Sequence, residues 1–151
     1  MNNLVIIDDE ETICQSLRFA FEDAFHVYTF TDPMKALPLF KELEIALVLL
    51  DLKLDTCSGL DILDEILHLS PHTMVIIMTA YGSIPSSVEA IKKGAYYYVT
   101  KPLQIEELEL IVEKAMEVYN LKNTVRQLSD ELDKLAEGQG LLGKSPAIME
   151  I

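Results

Sequence analysis

Two acidic sites carry the chemistry this sequence could perform: Asp8, Asp9 and Glu10 close one short apolar run, and Asp51 closes another. Such runs read as strands, and in a parallel sheet the ends of neighbouring strands lie side by side. Carboxylates gathered there repel one another and hold protons more tightly unless a cation binds them. Hard oxygen ligands with room for water suit Mg²⁺, which takes one or two carboxylates, several waters and a phosphate oxygen. An ionised aspartate is also a nucleophile toward phosphorus, and a metal beside it offsets its charge and that of the arriving group. Phosphoryl transfer further needs electrostatic clamps on the equatorial oxygens. Thr79 ends a fourth run with a hydroxyl, and Lys101 follows a fifth with an ammonium. Singly, each has a plain reading, the acidic triplet as a polar turn and helix cap and the other two as solvated residues. Together they put nucleophile, metal ligands, hydroxyl and cation on one rim of one sheet.

The elements that must position these residues are legible as five apolar runs at 4–7, 27–30, 46–50, 74–78 and 96–99, brief and rich in Val and Ile. Between them apolar residues recur at helical spacing: Ile13, Leu17 and Phe21, then Ala36, Leu39, Phe40 and Leu43, then Leu60, Leu63, Ile66 and Leu67. Five strands thus alternate with five helices. Continuous apolar strands joined by helical crossovers predict a parallel sheet covered on both faces, a doubly wound α/β fold whose ligands sit at the carboxyl ends of the strands. Thr31-Asp32-Pro33 starts the second helix, Ser83 and Pro85 start the fourth, and Gly94 closes the fourth.

The last helix differs in kind, since its pattern runs from 105 to 137 without a breaker. Ile111, Val118, Val125 and Leu132 recur every seven residues, and Leu121, Leu128 and Leu135 follow the last three of them by three. β-Branched residues at a with Leu at d favour a parallel two-stranded coiled coil. Lys114 interrupts the d series, so the seam is expected to strengthen from Val118 onward; a long helix laid on its own domain is the plainer alternative. Gly138, Gly140 and Gly143 mark a linker, and 141–151 reads as the opening of a truncated segment.

The chain has 151 residues, half of them hydrophobic, with 25 acidic and 12 basic side chains and a net charge of -13. That apolar content excludes wholesale disorder. The acidic balance disfavours nucleic acid or an anionic membrane as a direct partner. Cys14 and Cys57 are too few for a disulfide framework and sit in no metal-ligand spacing. With no apolar run of about 20 residues and no signal-peptide pattern, a cytoplasmic location is expected.

The sequence resembles the receiver domain of two-component response regulators over about residues 2 to 120, through Asp8-Asp9, Asp51 with Gly59 eight positions on, Thr79-Ala80 and Lys101-Pro102. The resemblance implies a flavodoxin-like (βα)5 fold with strand order 2-1-3-4-5. It implies that Asp51 is the phosphoacceptor for a histidine kinase, that Asp9 binds Mg²⁺ directly, Asp8 largely through water, and Lys53 through its backbone carbonyl. Thr79 and Lys101 would hold phosphoryl oxygens, Tyr98 would be the switch aromatic, and Lys101-Pro102 is a candidate cis bond. The plain reading of Tyr96, Tyr97 and Tyr98 is strand packing. One departure is Leu54-Asp55, where the family usually carries Met-Pro; Cys57 nearby is most simply an incidental small residue.

Tyr81-Gly82 and 88–95, with the heptad helix and Leu142-Gly143-Lys144-Ser145-Pro146, are similar more narrowly to sigma-54-dependent activators of the nitrogen-regulator class. The expected division is a receiver at 1–119, a coiled-coil linker helix at 120–137, and a linker with the first residues of an AAA+ ATPase domain at 138–151. No Walker motif or helix-turn-helix is present, so the chain is expected to be a signalling module without enzymatic turnover of a separate substrate. It would pair as a homodimer through its fourth helix, fifth strand and fifth helix and through the coiled coil. Two alternatives stand beside this. An aspartyl-phosphate phosphatase of haloacid-dehalogenase type needs a second acid two residues after the nucleophile, where this chain has Lys53. A purely structural coiled-coil adaptor would leave the acidic cluster without Mg²⁺-dependent labelling.

Overall fold

The computed structural model describes residues 1–53, 59–80 and 84–139, with backbone alone at 84–87 and 129–139. The readings at Asp55, Cys57, Tyr81-Gly82, Ser83 and 140–151 therefore lie outside the described residues, as do the side chains of Pro85, Leu132 and Leu135. Two compact units are present, Met1–Tyr119 and Asn120–Ile151.

In the first unit, β1 (Asn2–Ile7), β2 (Phe25–Phe30), β3 (Ile45–Asp51), β4 (Met74–Thr79) and β5 (Tyr97–Thr100) form one parallel sheet in the order β2-β1-β3-β4-β5. Every residue of β3 and β4 is buried, as central strands covered on both faces require. Alternation divides their side chains between two cores. Leu4, Ile6, Leu47, Leu49, Ile76 and Met78 face α1 (Glu11–Phe21) and α6 (Ile105–Gln139). Val5, Ile7, Val48, Leu50, Val75 and Ile77 face the opposite side, with Phe40, Ile62, Leu63 and Ile66. Each such side chain contributes about 1.5–3 kcal/mol when fully buried. A slip of one residue would exchange the two sets, so burial fixes the register that brings strand ends together.

The expected second helix is two single turns, α2 (Pro33–Ala36) and α3 (Leu39–Glu42), so the described residues hold six helical segments where five were expected. Pro38 lies between them and has no N–H to donate, so the α-helical ladder is interrupted there. Asp32 caps α2, accepting a bond from the Met34 N–H at 3.0 Å. α4 (Gly59–Leu69) and α5 (Ile84–Lys93) complete the crossovers, and α5 stops at Gly94, whose φ of 120° glycine adopts without penalty. The helices expected as fourth and fifth are thus α5 and α6.

α6 serves both units. Up to Tyr119 its Leu108, Val112, Ala115 and Tyr119 are buried in the first core, with Ile111 and Val118 packed at its edge. Two of the expected seam positions, Ile111 and Val118, are therefore shared with the domain's own core. In the second unit Leu121, Val125 and Leu128 are 67 %, 60 % and 55 % exposed. No helix among the described residues is long and apolar enough to cross a membrane.

Candidate functional site

β1 and β3 are hydrogen-bonded neighbours, with Ile7 opposite Leu50, so Asp8 and Asp51 leave the sheet at adjacent strand ends. Asp8 is tied into its loop on three sides. Its N–H donates to Phe30 O at 3.1 Å, its Oδ1 accepts the Glu10 N–H at 2.9 Å, and its carbonyl accepts from the Cys14 thiol at 3.4 Å. Asp51 is likewise held: its Oδ1 accepts the Lys53 N–H at 3.1 Å, and the Leu52 N–H donates to Met78 O at 3.1 Å. Gly59 passes close to this loop. A Cβ there would lie 2.5 Å from Leu52 Cα and 2.7 Å from Leu52 O, so only glycine fits without displacing the backbone beside Asp51.

Lys101 joins these carboxylates. Its Nζ lies 2.9 Å from Asp8 Oδ2, donates to Asp51 Oδ2 at 3.2 Å, and stands 3.8 Å from Glu10 Oε1. The lysine is carried there by β5, and its own N–H donates to Thr79 O at 2.8 Å. Burial pulls the Lys101 ammonium down, but its close ion pair with Asp8 and the charge of Asp51 outweigh it and leave the group above its ordinary value. Asp51 is pushed up from its ordinary value, first by burial and further by the charge of Asp8, against the Lys53 N–H and Lys101, which pull the other way. Burial, then the charge of Asp8, raises the Cys14 thiol to about 11, so it stays protonated and able to donate.

Acidic oxygens of Asp8, Asp9 and Asp51 all lie within 4.8 Å of one another. Asp8 is fully buried, and its Oδ2 makes no hydrogen bond, because Lys101 approaches it as a charge and not along a bonding direction. A buried carboxylate oxygen left in this way, inside a set of hard oxygen donors, fits a divalent cation of the Mg²⁺ type. Thr79 is buried on the same rim and turns its hydroxyl to Ala80 O at 3.2 Å.

The residues expected at the site thus fall into two groups. Asp8, Asp9, Asp51 and Lys101 come together, with Thr79 beside them on β4 and Lys53 meeting the site through its N–H. Tyr98 is half-buried, packed at the edge of the second core, with its ring 5.4 Å from that of Tyr97. The Lys101-Pro102 bond is cis. Cys14, one turn into α1, enters the sequence analysis only as one of two cysteines too few for a disulfide framework, since nothing in its type or spacing distinguishes a thiol that supports a loop carbonyl from a small core residue.

A family model described as the response regulator receiver domain matches residues 4–113. The regulatory protein AtoC of Escherichia coli (strain K12) is 34 % identical over an alignment covering 100 % of this chain and 33 % of that protein. The transcriptional regulatory protein ZraR of the same organism is 32 % identical, covering 99 % of this chain and 33 % of its own. The chain spans about a third of the length of the curated relatives it matches. Among solved structures, a response regulator receiver domain protein from Clostridium thermocellum superimposes with a TM-score of 0.75 at 35 % identity, over 80 % of this chain and 98 % of that one. NtrX from Brucella abortus in complex with ADP gives a TM-score of 0.80 at 30 % identity, over 96 % of this chain and 31 % of that one.

Proposed function

The chain belongs to the response regulator receiver domain family, and from that premise we propose that Asp51 accepts a phosphoryl group from a histidine kinase. Asp51 attacks phosphorus, the P–N bond of the donor breaks, and the electron pair remains on the ring nitrogen. Asp9, Asp8 through water, Asp51 and the Lys53 carbonyl would hold Mg²⁺, which when bound offsets the charge of the nucleophile and of the incoming group. Lys101 exchanges a carboxylate for a phosphoryl oxygen, and the Thr79 hydroxyl turns from Ala80 O toward the same group. The observation that carries this reading is the shared ammonium: Lys101 bridges Asp8 and Asp51 beside an Asp8 oxygen that lacks a hydrogen bond.

The rotation of Thr79 vacates space into which Tyr98 turns, altering the face made by α5, β5 and α6. Moving such an equilibrium from 1:99 to 99:1 takes about 5.5 kcal/mol. A phosphoryl dianion bonded to Lys101 and Thr79 supplies much of it. That face and the seam of α6 pair two copies of the chain, with residues 1–119 as receiver, 120–137 as coiled-coil linker, and 138–151 as a linker and the start of an AAA+ domain of a sigma-54-dependent activator. The module works in the cytoplasm, without direct contact to nucleic acid or membrane. It is not an enzyme in the sense of turning over a separate substrate. The phosphatase alternative has no support, since the family match is to regulators and Lys53 occupies the general-acid position.

Incubation with acetyl phosphate and Mg²⁺ tests the assignment by intact mass. One phosphoryl group should be added, and Asp51→Asn should abolish the addition; an undiminished addition in that variant would refute it.

A further inference from the structure

The site holds a fourth carboxylate, which the transfer just described does not use. Glu10 directly follows the Asp8-Asp9 pair, and its backbone is fixed by the N–H bond to Asp8 Oδ1 at 2.9 Å. Its side chain is 60 % exposed, and Oε1 stands 3.8 Å from Lys101 Nζ, beyond hydrogen-bonding distance. The same ammonium contacts Asp51 Oδ2 at 3.2 Å, so the Glu10 carboxylate and the nucleophile flank one cation. Glu10 and Lys101 also border a groove of about 700 Å³ floored by Ile13, Leu17, Leu103 and Ile105. Lys101 thus borders both the groove and Asp51, with Glu10 at their junction.

Resting on the phosphoacceptor reading, we propose that Glu10 selects imidazole-borne phosphoryl groups by accepting the N–H of the donor ring's second nitrogen. The chemistry calls for such a group. As the Asp51 Oδ–P bond forms and the P–N bond breaks, the electron pair goes to the departing nitrogen. That leaving group is neutral imidazole if the other nitrogen carries a proton, and the far poorer imidazolate if it does not. A carboxylate on that N–H orients the ring and stabilises its protonated form, as carboxylates do for histidine elsewhere. An acyl phosphate has no such N–H and gains nothing from Glu10.

The contrast supplies the test. The full chain and Glu10→Gln are incubated with Mg²⁺ and either monophosphoimidazole or acetyl phosphate, and labelling rates are followed by intact mass. The ratio of the imidazole-donor rate to the acetyl-donor rate should fall about tenfold in the variant, the scale of one charge-assisted hydrogen bond. An unchanged ratio overturns the proposal, whether both rates persist or both fall together, since equal losses would mean that Glu10 acts through Lys101. Failure of acetyl phosphate to label the parent chain at Asp51 would sink the phosphoacceptor reading itself, a separate result.

Discussion

At the scale of single residues, the site is a balance between carboxylates that repel and one ammonium that cannot satisfy them all. Asp51 shows the outcome, because burial and Asp8 together outweigh Lys53 and Lys101 and raise its carboxyl above the ordinary value of 3.8. A carboxyl raised on folding is held less favourably when ionised. Its contribution is therefore most favourable at low pH and is lost as pH climbs from the unfolded value through the folded one. Above that window the ionised side chain weakens the metal-free fold. Asp51→Asn, the variant expected to abolish labelling, should accordingly raise the metal-free melting temperature at pH 7. A gain of about 2–4 °C corresponds to roughly 1 kcal/mol for a chain of this size, and the gain should shrink as pH is lowered toward 4. Calorimetry in EDTA across that range checks both. These residues were legible in the sequence because strand-end position alone brings Asp8, Asp51, Thr79 and Lys101 to one rim. The bond from Cys14 to Asp8 O was not, since it depends on packing depth that residue type does not encode.

At the scale of elements, the strands were the most legible, because β3 and β4 are apolar throughout and few other structures bury such runs on both faces. Observed strands extend the expected ones by one or two residues at most ends, whereas β5 begins one residue later, with the Tyr96 N–H donating to Val75 O at 2.7 Å. The second crossover was misread because Ala36, Leu39, Phe40 and Leu43 satisfy helical spacing while Pro38 among them breaks the ladder; a local covalent fact overrode a periodic one. α6 shows the converse, since one heptad pattern runs through two settings, one packed on the domain and one exposed. Ile111 and Val118 lean on the domain, and from Leu121 the stripe has no described cover. Periodicity alone cannot separate these settings. If Leu121, Val125 and Leu128 form a seam between copies, Leu121→Ser with Val125→Ser should weaken self-association by at least tenfold while leaving the melting temperature of 1–119 within about 2 °C, as exposed positions require. Sedimentation equilibrium reads the first effect. A dimer of undiminished affinity would place the main contact on the face of α5, β5 and α6 instead.

At the scale of the whole molecule, the net charge of -13 makes folding a problem of self-repulsion as well as of burial. Monovalent salt relieves this diffusely, with a Debye length of about 8 Å at physiological ionic strength. Asp8, Asp9 and Asp51 concentrate the repulsion within 4.8 Å, and ordinary screening acts weakly on groups as buried as Asp8 and Asp51. A specific divalent cation and a general rise in ionic strength must therefore act differently on this chain. Mg²⁺ bound to the folded state alone adds about 2.7 kcal/mol at a hundred times its Kd, or roughly 5–10 °C in melting temperature. NaCl at matched ionic strength should give a smaller rise that does not saturate. Asp9→Asn should remove the Mg²⁺ increment and leave the response to NaCl, since it deletes a proposed ligand and only one charge of many. Equal responses of parent and variant to Mg²⁺ would show that the cation acts on the charge of the whole surface, and the acidic rim would then be only its densest part.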